Sequence, residues 1–441
     1  MPMAAARQPF VHLVLPVVVA GSILAASGCG RSPQPEAGPE RSASAPPAGQ
    51  PRRGADDRIA DGTNAASDGV PAAPAPLEVP PLPDGTPEQL LQFVADLKTA
   101  KIKPKTQEEL VGYVNAVCAR GLEAADRIMA RLPADAPAAI EAGRLKLDSL
   151  LTLADFQQDG KAARDAEGFA RSLAEGPTPA LARLGRRTLI LMAAQKAFAA
   201  KDFDTIPDIV SSTADLLAAD PDDTETAQLA VSLAKATESI ESAGRPAPAI
   251  AAYETFARQL EKSTVAKSQQ LAGIMAGTAR RLALPGRPMQ VEGTRLDGTA
   301  FDPATLKGKV VLVDFWATWC GPCVAEIPNI REAYEKYHDL GFEVLAISLD
   351  DSREDLDAFL AERKVPWPIL FSGRGFEDPV ARFYGINGIP QLILIGRDGN
   401  VIDLEARGGR LGTLLAGLFP ADATPGAAAD ATPDTPAATA P

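Results

Sequence analysis

The sequence predicts two folded regions of different class, an all-α helical array followed by an α/β domain, set between ends without a stable fold. Three observations carry this. Apolar residues recur at helical spacing across residues 85–283, as in LLQFVADL, LVGYVNAV and LILMAAQKAF. Within 284–420, nearly continuous apolar runs such as VVLVDFW and FEVLAISLD alternate with helical stretches, as strands buried on both faces require. Residues 29–84 and 421–441 are rich in Pro, Ala and Gly and nearly lack large apolar residues, so burial there cannot offset chain entropy. A chain of 441 residues has room for all these parts.

Residues 1–28 read as a targeting segment. Arg7 stands in an acid-free start, residues 10–26 are mostly apolar though interrupted by His12 and Pro16, and Ala26, Ser27 and Gly28 precede Cys29. This is the layout of a secretory signal peptide. The ending LAASGC resembles a bacterial lipobox, which implies that Cys29 is lipidated; Ala26 departs from the Leu that the pattern prefers. Ordinary secretion and an uncleaved anchor are the alternatives. All three place the rest of the chain outside the cytoplasm, on the periplasmic side of a bacterial membrane, where disulfide chemistry is meaningful. The tether over 29–84 would span roughly 40 Å as a random coil, which gives reach from a membrane.

In the helical region, start signals are clear. Thr86-Pro87-Glu88-Gln89 offers a cap, a first-turn proline and a glutamine at the third position; Thr106 with Glu109 reads as a capping box; Thr178-Pro179 opens another helix. Breaks at Pro133, Pro137, Gly160, Gly176–Pro177, Asp220–Pro221 and Gly244–Pro246 divide the region into about eight helices. Segments such as AAYETFARQL loosely resemble tetratricopeptide hairpins, without a steady period. The array is either a packed spacer or a docking surface. Cys118, inside a helical run, reads as a small buried apolar residue.

In the α/β domain, strands are expected at 310–316 and 342–350, and a hairpin joins 391–396 to 401–406 across Arg397-Asp398-Gly399-Asn400. Helices are expected at 321–340, 353–364, 377–384 and 410–418, and an early strand pair around MQVEGTRLDGTAF.

Composition excludes several chemistries. The net charge is −13 and no Lys/Arg run forms a phosphate-neutralising stripe, so a nucleic-acid partner is not expected. His12 and His338 stand far apart, which removes most His-based triads and metal sites. Four cysteines with one CxxC make neither a disulfide scaffold nor a four-cysteine zinc site, and a zinc reading of the pair lacks two ligands. No metal or cofactor is expected.

The chemistry concentrates in WATWCGPCVAEIP, residues 316–328. A CxxC opening a helix places its first sulfur near unpaired backbone N–H groups, which stabilise a thiolate, so Cys320 is the candidate nucleophile. Cys323 is then the resolving thiol. Gly321 allows a tight turn, Pro322 suits the first helical turn, and Pro328 should kink the helix. Asp314 lies within an apolar strand, where burial raises a carboxyl pKa and equips it to carry the thiol's proton. Glu326 follows Cys323 at a spacing that puts both on one helix face. Both acids could instead be solvated, or paired to lysines such as Lys309. Trp319 is expected to cover the site and Trp316 to belong to the core.

VDFWATWCGPC looks like thioredoxin, and residues 286–420 as a whole resemble the extracytoplasmic TlpA/ResA-like branch of that superfamily. The resemblance runs through GRPMQVEGTRLDGTAFDPATLKGKVVLVDFWATWCGPCVAEIP, ISLDDSREDLDAFLAER and YGINGIPQLILIGRDGNV, about a third of the chain. It implies a thioredoxin fold, attack by Cys320 and resolution by Cys323. It also implies that Ile389–Pro390 is the family's cis-proline, opposite the pair and holding an extended substrate segment. TlpA/ResA-like chains often carry Asn where this one has Asp314, whereas thioredoxin has Asp; Glu326 matches the carboxylate typical of TlpA/ResA-like proteins. The resemblance and the Gly-Pro between the cysteines suggest a reductase of protein disulfides, with apocytochrome c as one substrate class and a membrane thiol relay as electron donor. An oxidase or isomerase using the same residues, and a helical interaction protein with a passive redox module, are the alternatives. A peroxidase lacks its Thr-x-x-Cys setting.

Overall fold

The computed structural model describes residues 78–156, 160–240 and 247–419. The expected signal peptide, Cys29, nearly all of the tether and the 421–441 tail lie outside the described residues. Two compact units are present, one ending at Ala166 and the other beginning at Glu167. This division falls within the helical region, not at the 283/284 step where the composition changes.

The first unit contains α1 (Pro87–Thr99), α2 (Gln107–Met129) and α3 (Pro137–Phe156). Thr86 and Gln89 form the expected capping box. Thr106 caps α2 through the Glu109 amide at 3.1 Å, but the Glu109 carboxylate turns to the Lys105 amide at 2.6 Å, so that box is only half formed. Leu90, Val94, Ala124, Ile128 and Ala142 make the core. Cys118 is buried, as expected, and burial pushes its thiol pKa up to about 11, which keeps it an unreactive thiol.

The unit boundary falls within α4 (Lys161–Ala174); α5 (Pro179–Ala200), α6 (Ile206–Ala219), α7 (Thr224–Glu238), α8 (Ala247–Leu260) and α9 (Ala266–Leu282) belong to the second unit. The array thus holds nine helices among the described residues, not about eight. One division the composition does not mark is at Lys201, which closes α5 in the left-handed region at φ 56°. Small residues let these helices approach closely: Ala230, Ala234, Ala249, Ala252 and Ala257 pack with Leu217, Phe256 and Leu260.

The same unit carries a five-stranded sheet, ordered β3-β2-β1-β4-β5. Its strands are β1 (Val310–Trp316), β2 (Phe342–Ser348), β3 (Ile369–Phe371), β4 (Gln391–Ile395) and β5 (Val401–Asp403). β1 is central, parallel to β2 and antiparallel to β4. Every residue of β1 and β2 is buried, which explains their unbroken apolar runs. Alternate residues serve opposite faces. Leu312, Trp316, Val344 and Leu394 pack with Cys323, Ile327 and Ile330 of α10 (Gly321–Tyr337). Val311, Val313, Phe315, Leu345 and Ile393 pack with Val380 and Ala381 of α12 (Pro379–Phe383), and with Tyr384 beyond it. With α11 (Arg353–Arg363) and α13 (Gly409–Leu418), this is a thioredoxin-like fold.

The expected strand pair around 289–301 is not formed. Only single bridges occur there, Thr294 with Ala300 and Arg295 with Leu370. The turn at Gly298 (φ +84°) closes the loop, but the backbone before it goes elsewhere: the Gln290 amide donates to the Tyr384 hydroxyl at 2.8 Å.

Candidate redox site

The site is built where β1 meets α10. Cys320 is the N-cap of α10, and its Sγ accepts from the Cys323 amide at 3.3 Å. The sulfur thus sits at the electropositive end of a helix, where a thiolate is favoured. The two cysteines are joined by a disulfide, with S–S 2.07 Å and Cα–Cα 5.3 Å. The structure therefore describes the oxidised pair. The Ile389–Pro390 peptide is cis, and the Ile389 carbonyl oxygen lies 3.8 Å from Cys320 Sγ. Residues far apart in sequence are brought together here as the resemblance implied.

Asp314 is buried on β1, opposite Ala346 of β2 and Leu392 of β4. It shares the sheet face of Leu312 and Trp316, on which α10 packs. Burial first, and the negative charge of Glu326 second, push its pKa up to about 7. Lys309 does not pair with it; that lysine reaches Glu343 at 3.2 Å. Glu326 is half-buried, and its Oε1 accepts from the Gly408 amide at 2.7 Å and from Asn329 Nδ2 at 2.5 Å. These bonds fasten it to the loop before α13.

Trp316 is a core residue, tilted against Phe359 with ring centroids 5.4 Å apart. Trp319 is 59% exposed, and its ring leans on Phe376 at 6.2 Å. Pro322 sits in the first turn of α10 and is exposed. Gly321 departs from expectation: its φ is not positive, and a Cβ there would meet nothing within 4 Å. The turn itself does not need glycine. Pro328 lies inside α10, which continues to Tyr337.

Sequence reasoning missed Asp350. Its buried carboxylate accepts from the Thr318 amide at 3.0 Å, from Thr318 Oγ1 at 2.6 Å and from Ser348 Oγ at 2.8 Å. It anchors the WATWC loop to the end of β2. The sequence carries a signal for it, since Ser348 and Asp350 are polar breaks in the apolar run over 342–350. Replacing Asp350 by Ala leaves the Thr318 amide unpaired. A loss of roughly 1.5–3 kcal/mol is expected, typical of a hydrogen-bonded charged group, and a denaturant titration of the oxidised protein checks it.

Residues 275–411 match the family model for redoxin. That segment is a redoxin domain. The match begins inside α9. Thiol–disulfide oxidoreductase ResA of Bacillus thuringiensis subsp. konkukian is 33% identical over 109 residues, 25% of this chain and 61% of that protein. ResA of Oceanobacillus iheyensis is 30% identical over 122 residues, 28% of this chain and 62% of that protein. The chain thus spans less than two thirds of the length of these relatives. Among solved structures, the thioredoxin domain of a thiol–disulfide oxidoreductase from Bacteroides vulgatus is 30% identical, covering 30% of this chain and 97% of its own, with a TM-score of 0.29. A thiol:disulfide interchange protein from a Bacteroides species is also 30% identical, covering 31% and 90%, with a TM-score of 0.29. The redoxin segment, with its disulfide-forming CxxC pair, is thus similar to part of these thiol–disulfide oxidoreductases.

Proposed function

We propose that the protein reduces disulfides in extracytoplasmic proteins while tethered to a membrane through Cys29. The observation that carries the redox reading is the Cys320–Cys323 pair at a helix N-terminus, facing a cis-prolyl peptide, with a carboxyl of raised pKa buried in the adjoining strand.

In the reduced state, the Cys320 thiolate attacks one sulfur of a substrate disulfide. A mixed disulfide forms, and the other substrate sulfur leaves as a thiolate that takes up a proton. Cys323 then gives its proton to the Asp314 carboxylate and attacks Cys320. The Cys320–Cys323 bond forms, the substrate's second thiol leaves with the proton, and two electrons have passed to the substrate. The pair is left oxidised, and the next turnover needs an external dithiol. A membrane thiol relay supplies it in this reading, which rests on the resemblance. Substrates are polypeptides bearing a disulfide, apocytochrome c being one class. The exposed Trp319, with Gly321, Pro322, Ile389 and Pro390, forms the surface that meets them. The location rests on the signal-like residues 1–28 and on the LAASGC ending at Cys29.

Direction is tested by the reduction potential of a soluble chain beginning after Cys29, titrated in dithiol buffers and read by thiol trapping. A midpoint near or below about −250 mV is expected for a reductant. A midpoint above about −150 mV would reverse the assignment to an oxidase or isomerase using the same residues.

A further inference from the structure

Helix α9 packs against the end of α12 and the turn that follows it, and that turn leads directly to the cis-proline. Gly277 of α9 and Gly385 touch backbone to backbone. A Cβ on Gly277 would lie 2.3 Å from the Gly385 nitrogen and 2.9 Å from the Arg382 carbonyl oxygen. A Cβ on Gly385, which has φ +62°, would lie 2.3 Å from the Thr278 nitrogen and 2.4 Å from the Ile274 carbonyl oxygen. Neither position has room for any other residue without moving main chain, because the atoms met are backbone on both sides.

Three side chains of the same helix close on this contact. Thr278 Oγ1 and Arg281 Nη1 both donate to the Gly385 carbonyl, each at 3.4 Å. Arg280 donates to the Phe383 carbonyl and lies over that ring, 4.0 Å from its centroid. Arg281 is buried, and the acidic groups that face it come from two regions: Glu238 of α7, and Glu405 just after β5. Its charge is thus held between the helices and the sheet.

The chain beyond Gly385 is short. Ile386 is buried, and its amide donates to the Ala381 carbonyl at 2.8 Å. Gln391 pairs with Phe315 in the sheet. Between these two fixed points lie Asn387, Gly388, Ile389 and Pro390, and the Ile389 carbonyl stands against Cys320 Sγ.

We propose that α9 is a positioning element of the redox site, with Gly277, Thr278 and Arg281 holding Gly385 and so setting where the Pro390 segment stands over Cys320. The helices are then more than a spacer: the last of them determines how well the site grips an extended substrate. This deepens the oxidoreductase reading and rests on it, since Pro390 is taken as a substrate-holding residue.

The test uses the whole chain beginning after Cys29. Gly277→Val forces the two backbones apart; Thr278→Val removes one bond to Gly385 with little change in volume; Gly273→Ala is the control, on the same helix with nothing within 4 Å of the added carbon. Turnover is measured with a disulfide-bonded peptide and with hydroxyethyl disulfide, reduced dithiothreitol serving as the external dithiol and its direct reaction subtracted, and amide exchange is followed over 385–392. For Gly277→Val, the peptide KM is expected to rise about tenfold or more, because small displacements of a positioning group are costly. Turnover of the small disulfide should stay within about twofold, since it needs no extended grip. Thr278→Val should move the peptide KM the same way by about threefold, and Gly273→Ala should leave it unchanged. Exchange over 385–392 should quicken in the first two variants only. A peptide KM and exchange pattern unchanged in Thr278→Val overturns the proposal, whether or not Gly277→Val folds. A uniform loss of stability with wild-type KM also overturns it, because α9 would then be structural only. If the unaltered protein turns over neither disulfide, the oxidoreductase reading fails, and amide exchange alone decides whether α9 holds the segment.

Discussion

Replacing Cys320 by Ser is expected to abolish disulfide exchange, whereas replacing Cys323 by Ser should leave a protein that attacks once and stops. The two residues look equivalent as CxxC, but the structure makes them different. Cys320 caps α10 and receives the Cys323 amide, so its thiolate is the one a helix N-terminus stabilises. It is also the sulfur beside the Ile389 carbonyl, where a substrate strand would lie. Cys323 is deeper in the helix and packs with Ile327 and Ile330. A Cys320→Ser chain has no accessible thiolate, and its exchange rate should fall by at least about 10³-fold, toward the uncatalysed level. A Cys323→Ser chain cannot form the second bond, so the mixed disulfide with Cys320 persists. Non-reducing electrophoresis after incubation with a disulfide-bonded peptide, followed by mass measurement of the adduct, reads both results. Adduct formation through Cys323 in the Cys320→Ser chain would invert the assigned roles. Retained turnover in that chain would remove the pair from the mechanism altogether.

Some of this was legible in the sequence because it rests on local physics. An unbroken apolar run such as VVLVDFW has few uses other than a central strand, and β1 matches it residue for residue. A CxxC with Pro at the second helical position announces a capped helix start, and α10 begins there. Other features depend on what residues distant in sequence do to each other. β3 is only Ile369–Phe371, too short to show a period, and it exists because β2 offers an edge. The cis state of Ile389–Pro390 came from resemblance, since a prolyl bond does not announce its isomer. Gly277 is one small residue among several in α9. Only the fold shows that Gly385 stands against it, over a hundred positions later. Asp350 shows in the sequence as a polar break in an apolar run, but its partner Thr318, on a different segment, does not.

Asp314→Asn is expected to make the oxidised protein more stable above neutral pH and slower as a catalyst. The pKa near 7, against an ordinary 3.8, comes first from burial and then from the charge of Glu326. Below pH 3.8 the carboxyl is protonated in both folded and unfolded chains, and it imposes no penalty. Between about 4 and 7 the unfolded chain releases this proton while the folded one retains it, so stability falls as pH rises. Above 7 the folded chain ionises too, and the cost levels off at roughly 4 kcal/mol, about 1.4 for each pKa unit. Asn is never charged, so the variant should gain roughly 2–4 kcal/mol at pH 8 and almost nothing at pH 3.5. Denaturant midpoints of the oxidised protein at the two pH values read the difference. Catalysis should move the opposite way. Resolution of the mixed disulfide in the parent chain should rise with pH through a midpoint near 7, as Asp314 becomes a base. In the variant that step should slow by about 10²-fold and lose this midpoint, which is the scale of a missing general base. A gain in stability equal at both pH values would show that the carboxyl is not held neutral by burial. Unchanged resolution would leave Glu326, fastened to Gly408 and Asn329, as the acid to test next.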